Sequence, residues 1–202
     1  MTLVTLTTPN SAAAEAWRTL RTNLQFAALE APLKTVVIAA PDAGGSAAEA
    51  AANLAVVCAQ IGRRVVLVDA DLLQPQIHTV LGLPNVSGLV EALAAPGVAI
   101  PLQAGPVHGL RVLTAGAGSV IASDALSSAR MMDVLQEIAR EADLVLVHTA
   151  PAAVYSDAAV LAAGSDAAIL IVTRDRTRRD AVAAARDALR RAHARLLGAV
   201  VN

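Results

Sequence analysis

"KTVVIAAPDAGGSAAEAAANLA", residues 34–55, decides the fold. A short β-branched apolar run enters a glycine-bearing turn, and an alanine-rich helical pattern leaves it. Strand, glycine turn and helix in this order frame a phosphate-binding loop, read as G-x-x-x-x-G-K-[ST]. In such a loop the backbone N–H groups and the helix N-terminus face the phosphates, and the lysine adds a full positive charge. Here the frame is present and the lysine is not. The only lysine in the chain, Lys34, begins the strand whose far end carries the loop. Six residues of strand put it roughly 20 Å away.

Strand and helix patterns alternate outward from this stretch. Short apolar runs recur at 35–40 (TVVIAA), 64–70 (RVVLVDA), 110–116 (LRVLTAG), 143–149 (DLVLVHT), 167–173 (AAILIVT) and 195–201 (RLLGAVV). Several are apolar almost throughout, as strands buried on both faces of a parallel sheet are. Helical patterns lie at 11–29, with Ser11 as N-cap, at 47–62, closing on Gly62, and at 127–142 and 177–197. The series predicts one α/β domain over 1–202, a doubly wound, mostly parallel sheet with helices on both faces. The proline- and glycine-rich stretch 94–109 reads as a surface excursion. Ligands of such sheets bind beyond the carboxyl ends of the strands. Those ends, at 40–48, 69–75, 148–151 and 202, are expected to converge.

Composition narrows the function classes. Hydrophobic residues make up 55% of the chain and aromatic residues 1%, so the core must be aliphatic. A net charge of −1 gives no bulk attraction to nucleic acid or to an anionic membrane. The arginines of 174–195 read as a solvated helix face. Cys58 is alone, which excludes an internal disulfide, and its apolar helical setting reads as core. No apolar run approaches the roughly 20 residues of a membrane span. With no basic-then-apolar leader at the N-terminus, the expectation is a cytoplasmic protein without direct membrane insertion.

Five segments carry a family resemblance: "AEAWRTLRTNLQFA" (14–27), "RRVVLVDADL" (63–72), "GLVEAL" (88–93), "ADLVLVHTAPAAVYSDAAVLA" (142–162) and "LLGAVVN" (196–202). Together they resemble the bacterial tyrosine kinases (BY-kinases) of capsule and exopolysaccharide export. These are P-loop ATPases of the MinD/ParA deviant-Walker type. The resemblance runs colinearly over residues 13–202. It implies a P-loop NTPase-like fold and a site for ATP or ADP with Mg²⁺. It also implies subunit contacts through an E-x-x-R-x-x-R motif, matched here by Glu15, Arg18 and Arg21 on the helix of 11–29. Family members continue into a tyrosine-rich tail, whereas Tyr155, the only tyrosine here, lies inside the domain and reads as packing.

The departures from the family pattern fall on charged groups. Counting back without gaps from Asn53-Leu54-Ala55 places Ala47 at the lysine, Ala48 at the hydroxyl residue and Ser46 at the preceding glycine. A second register, through Gly44-Gly45-Ser46, keeps a serine. Neither restores the lysine. Asp69 and Asp71 match the aspartates of the family's second acidic motif, which help to hold Mg²⁺, while Leu73 and Gln74 stand where arginines are usual. The third motif reads Val147-His148-Thr149-Ala150-Pro151, so the Walker B aspartate is His148. Asn202 matches the asparagine placed near the adenine.

A triphosphate brings about four negative charges, and a helix N-terminus offers about half a unit of positive charge. Asp42 and Glu49 add negative charge beside the phosphate position. A lost buried charged contact costs roughly 2–5 kcal/mol, and phosphoryl transfer rests on positioning and electrostatics. The sequence therefore predicts a vestigial nucleotide site made of Asp42, Gly44, Gly45, Ser46, Ala47, Ala48, Asp69, Asp71 and Asn202. No catalytic residue is expected, and any bound Mg²⁺ would fall to Asp69 and Asp71. His148 reads as a residue hydrogen-bonded near Asp69, although Asp69 and Asp71 read equally well as caps of the next segment. Glu15, Arg18 and Arg21 read either as a subunit contact or as an intrahelical ladder worth a few tenths of a kcal/mol. The resulting expectation is a pseudokinase with no resident cofactor, assembling with itself or an active paralogous kinase, and held at the inner membrane face by a membrane chain-length regulator. A weakly active ATP-dependent tyrosine kinase is the alternative, and a MinD/ParA-like positioning ATPase the third.

Overall fold

Each of the six apolar runs forms a strand, and all but the last, at 196–201, are buried along most of their length. The computed structural model describes residues 3–43, 45–118 and 120–202. The strands are β1 (Thr35–Ala39), β2 (Val65–Asp69), β3 (Gln103–Ala104), β4 (Leu110–Leu113), β5 (Leu144–Thr149), β6 (Ala167–Val172) and β7 (Leu196–Val201). They form one sheet in the order β3-β4-β2-β5-β1-β6-β7. All neighbours are parallel except β3 and β4.

Side chains alternate between two aliphatic cores, as the two-residue period of a strand requires. On one face Val36, Ile38, Leu67, Leu146 and Ile169 pack under α2 (Ala12–Glu30), α3 (Ala47–Ala59) and α4 (Ile77–Leu81), with α1 (Val4–Thr7) alongside. On the other, Val37, Val68, Val147 and Leu170 pack under α5 (Leu89–Ala94), α6 (Ala122–Leu126), α7 (Ala129–Glu141), α8 (Asp157–Ala163) and α9 (Arg179–Arg191). Every residue of α3 except Glu49 is buried. Its alanines let this central helix lie close to the sheet. Asn53 ties α1 to α3, its Oδ1 accepting from the N–H and the hydroxyl of Thr5.

The caps follow local chemistry. Ser11 Oγ accepts from Ala14 N–H at the start of α2, and Ser128 does the same for α7. Gly62, at φ 84°, turns the chain out of α3 into β2. Within the excursion of 94–109 the structure adds β3, which pairs antiparallel with β4. Two residues of strand carry no periodicity to read.

Candidate nucleotide site

The carboxyl ends of β1, β2 and β5 open into one small cleft of about 30 Å³, with Asp42, Ala47, Ala48, Asp71, His148 and Thr149 among its walls. Gly44 lies outside the described residues. Gly45 is held where a side chain would collide with Ala40 Cβ.

The start of α3 lies next to the loop. Ser46 precedes α3, and Ala47 and Ala48 are its first two residues, as the gapless count has it. Ser46 faces the ends of β6 and β7. Its hydroxyl accepts from Asn202 Nδ2 at 2.8 Å, and its N–H donates to Thr173 Oγ1 at 3.2 Å. Thr173 is fixed in turn by donating its own N–H to Thr177 Oγ1. Asn202 thus reaches the loop from the end of β7, so all four strand ends meet here.

Asp69 and His148 stand opposite each other on β2 and β5. His148 Nδ1 lies 2.9 Å from Asp69 Oδ1, with both side chains buried. The same oxygen accepts from Asp71 N–H, while Oδ2 accepts from the N–H groups of Gln76 and Ile77 at the start of α4. Asp71 Oδ1 accepts from Gln74 N–H. These are capping bonds to the following segment. Burial pushes the Asp71 carboxyl above the usual carboxylate range, against the pull of Gln74 N–H and of His148. Thr149 Oγ1, a third-motif residue given no role in the sequence reading, is buried in the cleft wall without a hydrogen-bond partner among the described residues.

The α2 motif divides. Arg18 pairs with Glu15 at 2.9 Å, one turn away, and also donates to Pro9 O. Arg21 turns inward and donates to Val57 O of α3 at 3.1 Å. Tyr155, expected to pack, is 41% exposed on the loop between β5 and α8.

No protein-family model matches the chain. It is 35% identical over 201 residues to the tyrosine-protein kinase YwqD of Bacillus subtilis, covering 99% of this chain and 85% of that one. The kinase domain of the Escherichia coli tyrosine kinase ETK superposes with a TM-score of 0.93 at 28% identity, over 100% of this chain and 80% of that chain. The chain belongs to the bacterial tyrosine-protein kinases. The cell-division ATPase MinD of Pyrococcus furiosus, at a TM-score of 0.68 and 22% identity over 84% of this chain and 71% of that one, shares the fold.

Against the family's nucleotide and Mg²⁺, the residues of this cleft do not fit. No lysine or arginine is among the described residues that line it. Neither register of the loop supplies a lysine, and the third motif carries His148 where the family pattern has an aspartate. Both Asp69 oxygens are already accepting hydrogen bonds inside the protein. Among the described residues no group of three or more His, Cys, Asp or Glu side chains is placed to hold a metal ion. None of the helices among them is long and apolar enough to cross a membrane.

Proposed function

We propose that this chain is a catalytically degenerate bacterial tyrosine kinase, a pseudokinase that acts by protein contact in exopolysaccharide or capsule synthesis and export. The observation that carries the reading is the His148–Asp69 hydrogen bond. It puts an imidazole where a magnesium-binding carboxylate is required and engages the acid that would assist it. The alanine at position 47 removes the charge that would meet the β- and γ-phosphates. The partners in this reading are a second copy, an active paralogous kinase, or a membrane chain-length regulator that holds the chain at the inner face of the membrane.

Titration calorimetry with ATP and Mg²⁺ tests it. The expected result is no saturable heat at millimolar nucleotide. A micromolar dissociation constant would overturn the reading in favour of an active ATP-dependent tyrosine kinase. That second reading is favoured by the 35% identity to YwqD across nearly the whole chain.

A further inference from the structure

Tyr155 stands in a hollow of about 440 Å³ between the β5–α8 loop and α9. A tight turn presents it there, with the N–H groups of Val154 and Tyr155 both donating to Pro151 O. The same loop is tied to the end of β1, where Ala152 N–H donates to Ala40 O and Ala153 N–H to Pro41 O. Its main chain is therefore fixed while the ring is 41% exposed.

Three polar side chains line the hollow: Tyr155, Ser156 and Arg191. Apart from Val154 the other walls are alanines, which leave room beside the ring. Ser156 makes no capping bond to α8. None of the three side chains makes a hydrogen bond or an ion pair among the described residues. Asp187, one turn before Arg191 on α9, is taken by Arg186 at 2.8 Å and feels Arg191 through charge alone.

We infer that Tyr155 is a phosphoacceptor and that Arg191 holds the phosphorylated side chain. An active tyrosine kinase supplies ATP to the step. The bond from the γ-phosphorus to ADP breaks as one to Tyr155 Oη forms, the phenolic proton passes to a base of that kinase, and ADP leaves. A phosphotyrosine carries about two negative charges and strong acceptor oxygens. A free guanidinium in the same hollow meets them bidentately, and the Ser156 hydroxyl adds a donor. Phosphate held there ties the loop to α9, and with it Ala40 on the wall of the cleft. The inference rests on the proposed partnership with an active kinase, and not on the loss of nucleotide binding.

The test incubates the whole chain with ATP, Mg²⁺ and a purified active bacterial tyrosine kinase. Intact mass reads the phosphate, and pull-down from the same mixture reads contact with the kinase. The parent should gain one phosphate and Tyr155→Phe none. Contact without phosphate would overturn the inference and leave the partnership standing. Neither contact nor phosphate would overturn both. Phosphate gained without added kinase would keep Tyr155 as acceptor and sink the pseudokinase reading instead. The role of Arg191 is read on the phosphorylated chain. Arg191→Gln alters an exposed side chain without an ion pair, so it should be phosphorylated as the parent is. A tyrosine phosphatase should then release its phosphate about tenfold faster than that of the parent. Equal rates would remove Arg191 from the site.

Discussion

His148 and Asp69 stand at paired positions on adjacent parallel strands and share a hydrogen bond of 2.9 Å from Nδ1 to Oδ1. The bond makes reversion of the Walker B position a stability problem as well as a catalytic one. His148→Asp sets two buried carboxylates side by side with no cation between them. Breaking a buried pair by removing one partner costs about 3 kcal/mol, and like charge adds to that. Urea unfolding should show a loss of this order, recovered in part by millimolar Mg²⁺ if the new carboxylate can share a metal. Unchanged stability without Mg²⁺ would mean that Asp69 is held by its three backbone donors alone.

Restoring the loop is a separate step. Ala47 and Ala48 are the first two residues of α3 and line the cleft, so Ala47→Lys with Ala48→Ser returns a charge and a hydroxyl where the frame expects them. The double variant should bind ADP measurably by calorimetry where the parent does not. Turnover should appear only when His148→Asp is added. A normal ATPase rate from Ala47→Lys alone would show that His148 is no lesion.

The E-x-x-R-x-x-R motif separates into two roles that substitution can distinguish. Arg18 makes an exposed intrahelical pair with Glu15, a type worth well under about 1 kcal/mol. Arg21 instead satisfies a carbonyl of α3, and its Nε is buried without a partner among the described residues. Arg18→Ala should leave the melting temperature within about a degree, whereas Arg21→Ala should cost about 1–2 kcal/mol. Light scattering on Arg18→Ala then reports assembly without a folding defect. An Arg21→Ala variant that melts as the parent does would show that the bond to Val57 contributes nothing to stability.

Legibility followed the length of each signal. The six long strands were readable because each is a continuous apolar run between turns, and the parallel order followed from the helices between them. β3 was not, because two residues show no period. The convergence of the strand ends was readable from topology, but the orientation of Ser46 was not. Its hydroxyl meets Asn202 and its N–H meets Thr173, contacts between segments far apart in the chain that carry no local pattern. The reach of Arg21 was not readable either: spacing of three places it beside Arg18 on one helix face, and nothing in that spacing tells that its long side chain donates to Val57 O of α3. Thr149 stood in the third motif without a role of its own, since a threonine ending a buried strand looks the same with or without a hydrogen-bond partner.

Cys58, on the buried α3, gives the chain a measurable alkaline response. Burial pushes its thiol from 9.0 up to about 11, against the downward pull of Arg63 and Arg21. The folded value lies above the unfolded one, so the unfolded thiol ionises first as pH rises. The contribution is fully present below pH 9 and is lost as pH climbs towards 11. At 1.36 kcal/mol per unit, the loss attributable to this group is about 2–3 kcal/mol. Cys58→Ala removes the titrating group, at the cost of a small cavity. Its stability relative to the parent should therefore improve between pH 8 and 10.5, as measured by urea unfolding. The native thiol should also resist iodoacetamide at pH 8 and react once the chain is unfolded. A pH-independent difference between parent and variant, or rapid labelling of the native protein, would place Cys58 within reach of solvent and remove the physical basis of the shift.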